Sequence, residues 1–205
     1  MDIINMRYVM KRKEWLGIGA GLLIFLLWTM WVMNGKSITF DTEVYNLLQM
    51  LPSQCEILFR FITKFGNTLY VIIIAVLSLI LFKRWGKFLC FNILLNFLLN
   101  NILKAIFQRQ RPDFPHLVNA HGYSYPSGHA MIAVALYGFF IYFAYKKIQN
   151  TILRNSIIGV LSILMIMIPI SRIYLGVHYT SDVIAGVMVS TLYLYVFIHY
   201  VKKYL

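Results

Sequence analysis

Apolar side chains run almost unbroken through six stretches of the chain, roughly 15–33, 66–82, 88–106, 128–145, 156–171 and 182–201. A helix crosses the hydrocarbon core with about 20 residues, so each stretch predicts a span, the fifth being short. Between the first two spans the pattern changes. Val44, Leu47, Leu48 and Leu51, then Ile57, Leu58, Phe61, Ile62 and Phe65 recur at helical spacing on an otherwise polar background. Pro52-Ser53 divides them, and Asp41 is placed to cap the first piece. Two short amphipathic helices lying at the outer interface are expected, with no catalytic residue assigned to them. In the third span Asn92, Asn96, Asn100 and Lys104 fall four apart, a polar stripe slanting around one helix, with the asparagines expected to hydrogen-bond neighbouring helices.

Composition agrees with this pattern. Of the 205 residues 60% are hydrophobic and 13% charged, whereas a soluble domain averages about 45–50% apolar and about 25% charged. The reading is all-α: one membrane-embedded domain over residues 1–205, a polytopic bundle of six transmembrane helices with short outer interfacial helices. The N-terminal apolar run exceeds the h-region of a signal peptide, about 7–15 residues, so it is expected to stay as the first span.

The net charge of +12 raises the question of a nucleic-acid partner, and the placement of the charges answers it. Arg7, Lys11, Arg12, Lys13, Lys83, Arg84, Lys87, Lys146, Lys147, Arg154, Lys202 and Lys203 all fall on one side of a six-span arrangement. The positive-inside rule makes that side cytoplasmic, with both termini there. No nucleic-acid partner is expected. Cys55 and Cys90 imply neither a disulfide framework nor a metal site, and Cys90 reads as packing.

Three segments on the opposite side carry the chemistry. The first runs from Lys104 to Arg111-Pro112, where proline turns the chain out of its helix. The second is Pro126-Ser127-Gly128-His129, with Ser127 as a cap, Gly128 allowing close approach, and the unpaired N–H groups of an opening helix ready for an anion. The third runs from Ser171-Arg172 to His178 and Asp182, ionisable groups that are rare beside lipid and mark function. His116 and His121 lie in the intervening loop without a carboxylate or thiol cluster, so no metal is expected there.

Lys104, Arg111 and Arg172 offer positive charge, Ser127 and nearby N–H groups offer donors, and two histidines remain. That set fits phosphoryl transfer, where charge spreads over the equatorial oxygens and positioned cations carry most of the catalysis. His178 and Asp182, four apart, would share one helical face, the carboxylate holding one imidazole nitrogen while the other attacks phosphorus. His129 would give a proton to the leaving oxygen and later activate water. On chemistry alone the two roles can be exchanged, and the carboxylate beside His178 assigns it the attack.

These residues, Lys104 with Arg111-Pro112, then Pro126-Ser127-Gly128-His129, then Ser171-Arg172 with His178 and Asp182, resemble the three ordered motifs of the type 2 phosphatidic acid phosphatase family. Each motif alone is moderately specific and the ordered set highly so. Thr180 stands where many relatives have proline. The resemblance implies a metal-independent membrane phosphatase that needs no cofactor. In it His178 is the nucleophile, Asp182 its partner and His129 the acid, while Lys104, Arg111, Ser127, Gly128 and Arg172 hold phosphate. A site on the extracytoplasmic side suggests a lipid phosphate of the outer leaflet: undecaprenyl pyrophosphate first, then phosphatidylglycerophosphate and phosphatidic acid. The alternative is a non-hydrolytic carrier using the same cradle, disfavoured because binding alone needs neither histidine nor Asp182. A structural membrane protein is the third reading, and buried ions make expensive glue.

Overall fold

The computed structural model describes residues 10–205, so Arg7, one of the twelve cations assigned to the cytoplasmic side, lies outside the described residues. Among the described residues there are eight α-helices and no strand: α1 (Arg12–Met33), α2 (Ile38–Gln49), α3 (Gln54–Thr63), α4 (Thr68–Phe82), α5 (Arg84–Phe107), α6 (Gly128–Lys147), α7 (Thr151–Tyr174) and α8 (Thr180–Val201). A 3-10 turn, Lys64–Gly66, joins α3 to α4. Five helices, α1 and α5 to α8, are long and apolar enough to cross a membrane. With 15 residues α4 is short, and it reaches spanning length only together with the α3 segment, from which it is bent by 51°, so the spans number five, or six if this bent pair counts as one. The span expected over 156–171 is longer than its apolar pattern suggested, because Asn150 caps the helix by accepting from the Leu153 N–H at 3.0 Å and starts it at Thr151.

Helices α6 and α8 form the buried centre. Leu136 and Phe139 of α6 pack with Trp85 and Leu89 of α5, Ile168 of α7 and Phe197 of α8. The other helices leave their large apolar side chains outward, Ile24, Leu27, Ile80, Leu98 and Ile163 among them, as lipid-facing helices do. The asparagine stripe works as its spacing predicted. Asn92 donates to the Ala135 carbonyl at 2.8 Å, Asn96 to Ser190 Oγ at 2.9 Å and Asn100 to the Pro126 carbonyl at 3.1 Å, adding polar ties between α5 and its neighbours to the apolar packing.

The amphipathic segment between the first two spans forms the two expected short helices, but they are built into the bundle. Phe59 of α3 lies 4.5 Å from Tyr174 of α7, ring centre to ring centre. Asp41 does not cap α2: it lies in the first turn, fully buried, and its carboxylate is directed at α8. Pro112 does not stop α5 either. The helix ends earlier, at Gln108, whose left-handed backbone (φ 45°) lets its N–H bond the Lys104 carbonyl at 3.0 Å.

Candidate active site

At the end of the bundle that carries α2 and α3, the C-terminal ends of α5 and α7 meet the N-terminal ends of α6 and α8. The backbone itself joins two of the predicted segments: the Ser127 N–H donates to the Asp182 carbonyl at 3.0 Å. Gly176, with φ +74°, turns the chain sharply between α7 and His178. A Cβ there would stand 2.3 Å from the Pro115 carbonyl oxygen, so the loop of the first motif packs directly on the turn of the third.

His178 is 2% exposed and Asp182 fully buried. They do not share a helical face. His178 precedes the N-cap residue Tyr179, and Asp182, three residues past that cap, accepts the Tyr179 N–H on Oδ2 at 3.0 Å. This is one half of a capping box, in which the acid folds back over the helix start. Nδ1 of His178 stands 3.5 Å from Asp182 Oδ2, and Ser124 lies between them: its hydroxyl donates to Asp182 Oδ2 and its Oγ is 3.2 Å from Nδ1. The far nitrogen, Nε2, faces Arg111 Nη1 at 3.3 Å. A guanidinium only donates, so Nε2 carries the lone pair and Nδ1 the hydrogen. Burial, and after it the charges of Arg111, Arg172 and Lys104, push this imidazole well below the usual histidine range. The result is a neutral ring whose Nε2 lone pair sits among cations.

Arg111 is clamped by carbonyls of its own loop and of the third motif, donating to His121, Gly122 and Val177 at 2.7–3.0 Å. Lys104 donates to the Tyr123 carbonyl. Arg172, 4% exposed, donates from Nη1 to Thr63 Oγ1 at 2.8 Å. Its Nε and the hydroxyl of Ser127 are buried without a hydrogen-bond partner among the described residues. Ser127 does occupy the N-cap position of α6, yet its side chain makes no cap bond. Two buried donors left unmatched are costly unless a ligand meets them. Gly128 faces Asn100, whose Oδ1 would be 3.0 Å from a Cβ, and His129 Nε2 lies 2.7 Å from Asn67 Oδ1. All eight predicted site residues thus converge on one end of the bundle. The two loop histidines stay apart from it: both side chains are exposed, and His116 bonds the Pro112 carbonyl of its own loop.

Four further groups escaped the sequence reading. Arg109 donates to Asp182 Oδ1 at 2.6 Å and Ser181 Oγ at 2.8 Å, and from its other amine to Asp41 Oδ2 at 3.1 Å and Ser37 at 3.3 Å, while its guanidinium carbon lies 3.9 Å over the Tyr179 ring. Asp41 also accepts the Ser181 N–H and hydroxyl, both at 2.7 Å. Ser124 and Thr63 complete the set. Nothing in the sequence set Asp41 apart, since Glu43 and other polar residues stand beside it in the same helix.

Beside His129 an apolar cavity of about 570 Å³ opens between α4, α5 and α6, lined by Val71, Ile72, Ala75, Ile93, Phe97 and Ile132. The fold and site therefore define a multi-pass helical membrane protein with a cationic, histidine-bearing pocket beside a hydrocarbon-lined groove. Residues 85–205, the region holding all eight predicted site residues, match the PAP2 superfamily, and the chain belongs to it. It is 38% identical over 90 residues to phosphatidylglycerophosphatase B of Bacillus subtilis, a match covering 43% of this chain and 44% of that protein, so it spans less than half of that relative. It is 28% identical over 183 residues to an undecaprenyl-diphosphatase of Sulfolobus acidocaldarius, covering 80% of this chain and 82% of that one. The crystal structure of the PAP2-type phosphatidylglycerolphosphate phosphatase of Bacillus subtilis superposes with a TM-score of 0.80 at 25% identity, over 91% of this chain and 96% of that one. That of LpxE from Aquifex aeolicus shares the fold at a TM-score of 0.62 and 23% identity, over 78% and 94%.

Proposed function

We propose that this chain is an integral membrane lipid phosphatase, residues 1–205 acting as one unit, that hydrolyses a lipid phosphate or pyrophosphate through a phosphohistidine. The observation that carries the reading is the state of His178: buried and neutral, Nδ1 held from behind by Ser124 and Asp182, and the Nε2 lone pair directed at Arg111.

Nε2 attacks phosphorus, forming a P–N bond as the bond to the leaving oxygen breaks, and His129 gives that oxygen its proton. Water then attacks phosphorus, forming a P–O bond as the P–N bond breaks and Nε2 of His178 recovers its lone pair, while His129 takes up the water's proton and inorganic phosphate leaves. Lys104, Arg111, Arg172 with its unmatched Nε, the Ser127 hydroxyl and the backbone at Gly128 meet the phosphoryl oxygens. Cations take the place a metal fills in other phosphatases, so the reaction is proposed to be metal-independent. The groove beside His129 supports a lipid, since it offers hydrocarbon contact next to the phosphate site. The charge asymmetry supports cytoplasmic termini and an extracytoplasmic site. Undecaprenyl pyrophosphate is the first candidate substrate, in keeping with the relative matched over most of its length, and phosphatidylglycerophosphate and phosphatidic acid follow.

The test is phosphate release by detergent-purified protein in chelator from these three lipids, with His178→Ala as control. Release that depends on His178 is expected, and its rates rank the substrates. Equal release by the variant, or a need for added divalent metal, overturns the mechanism.

A further inference from the structure

Asn67 occupies the N-cap position of α4 with an ordinary capping backbone, φ −74° and ψ 145°, yet its side chain caps nothing. Asparagine is among the preferred caps because its side-chain oxygen satisfies an orphan N–H of the first turn. Here that oxygen is withdrawn from the helix and placed 2.7 Å from Nε2 of His129, 62 residues away. The preceding residue completes the arrangement. Gly66 is buried, and a Cβ there would stand 2.8 Å from His129 Cδ2 and 2.8 Å from Ile168 Cγ2, so the imidazole packs against bare backbone on one side and meets an amide oxygen on the next residue. Three positions earlier, Thr63 reaches Arg172. The short stretch joining α3 to α4 thus touches two members of the proposed site, although its sequence carries no charge aimed at either.

We propose that Asn67 is a positioning residue for His129: its amide oxygen accepts the Nε2 hydrogen, fixes that tautomer, and leaves Nδ1 as the nitrogen that trades a proton with the leaving oxygen and then with water. The catalytic consequence rests on the phosphatase reading, while the tautomer does not. An amide oxygen only accepts, so a ring bonded to it carries hydrogen on Nε2 and a lone pair on Nδ1 when neutral. When Nδ1 gains a proton the Nε2 bond strengthens, because its donor becomes cationic. One fixed atom can then act as acid in the first step and base in the second.

The experiment uses the full chain in detergent with ¹⁵N-labelled histidine, the His129 signals being assigned with His129→Gln. Asn67→Ser keeps a good helix cap but is too short to reach the ring, whereas Asn67→Asp keeps the acceptor. The wild type and Asn67→Asp should show the Nε2–H form, and Asn67→Ser should show a tautomer mixture. In parallel, kcat/KM of Asn67→Ser for an alkyl phosphate should fall about tenfold or more. For a nitrophenyl phosphate, whose leaving group departs without a proton, it should change much less.

A neutral wild-type ring with its hydrogen on Nδ1, unchanged His129 signals in Asn67→Ser, loss of the Nε2–H form in Asn67→Asp, or equal losses on both esters would each overturn the proposal. If the wild type releases no phosphate while the tautomer shifts as expected, the phosphatase reading fails and the placement of His129 by Asn67 stands.

Discussion

Nδ1 of His178 and Oδ2 of Asp182 are 3.5 Å apart, and the hydroxyl of Ser124 bridges them, donating to the carboxylate while its oxygen sits 3.2 Å from the imidazole nitrogen. The histidine is therefore oriented through a serine on another segment. Ser124→Ala should lose this link without disturbing insertion, since Ser124 is fully buried and small. A hydrogen bond to a charged group is worth about 1.5–3 kcal/mol, so kcat is expected to fall about tenfold to a hundredfold, with KM little changed. Steady-state phosphate release by Ser124→Ala, compared with wild type, checks this, and an unchanged kcat would leave Asp182 holding His178 unaided.

Arg109 makes a different kind of prediction. It lies between two fully buried carboxylates, Asp41 at 3.1 Å and Asp182 at 2.6 Å. Removing one member of a buried ion pair leaves uncompensated charge and costs about 3–5 kcal/mol. Arg109→Met should therefore unfold far more readily than wild type in a detergent-based thermal melt. Combining it with Asp41→Asn should cost less than the two losses added, because the double variant removes one of the orphaned charges. Simple additivity would show that the two side chains are not coupled.

The sequence made the ordered motifs and the spans legible for one physical reason: both are local. Apolar runs of spanning length, the asparagine repeat and the spacing of His178 to Asp182 can be read within a few turns of chain. The geometry behind that last spacing was misread, because a cap separates the two residues and a capping box, not a shared helical face, brings them together. Arg109, Asp41, Ser124, Thr63 and Asn67 stayed hidden because each acts on a residue 54 or more positions away, where no periodicity leaves a trace. Ser127 is the N-cap residue of α6, as its position suggests, and only the tertiary structure shows that its buried hydroxyl makes no cap bond.

Burial and the neighbouring cations hold the folded-state pKa of His178 below its ordinary value, which in an unfolded chain is about 6.5. Between the two values the unfolded chain binds more protons than the folded one, so stability rises with pH across that window and is lost as pH falls below about 6.5. His178→Asn removes the titrating group. Melting midpoints measured from about pH 5 to 7.5 should fall toward acid more steeply in wild type than in this variant. Parallel curves would mean that folding leaves the titration of His178 unshifted.

The proposed sidedness predicts opposite behaviour for two groups of lysines. Lys146 and Lys147 close α6 at the end away from the site, beside Tyr142, Tyr145 and Trp85, whose rings they overlie at 5.5–5.7 Å. Such aromatic and cationic side chains are at home at a membrane surface. Lys36 is exposed in the connection between α1 and α2, next to Ser37, which accepts from Arg109. An amine-reactive reagent that cannot cross the membrane, applied to intact cells, should therefore modify Lys36 and spare Lys146 and Lys147. Permeabilised cells should show all three labelled, and digestion with mass spectrometry reads each site separately. Labelling of Lys146 or Lys147 in intact cells would invert the protein in the membrane and place the phosphate pocket on the cytoplasmic side, where the inner leaflet would have to supply the lipid.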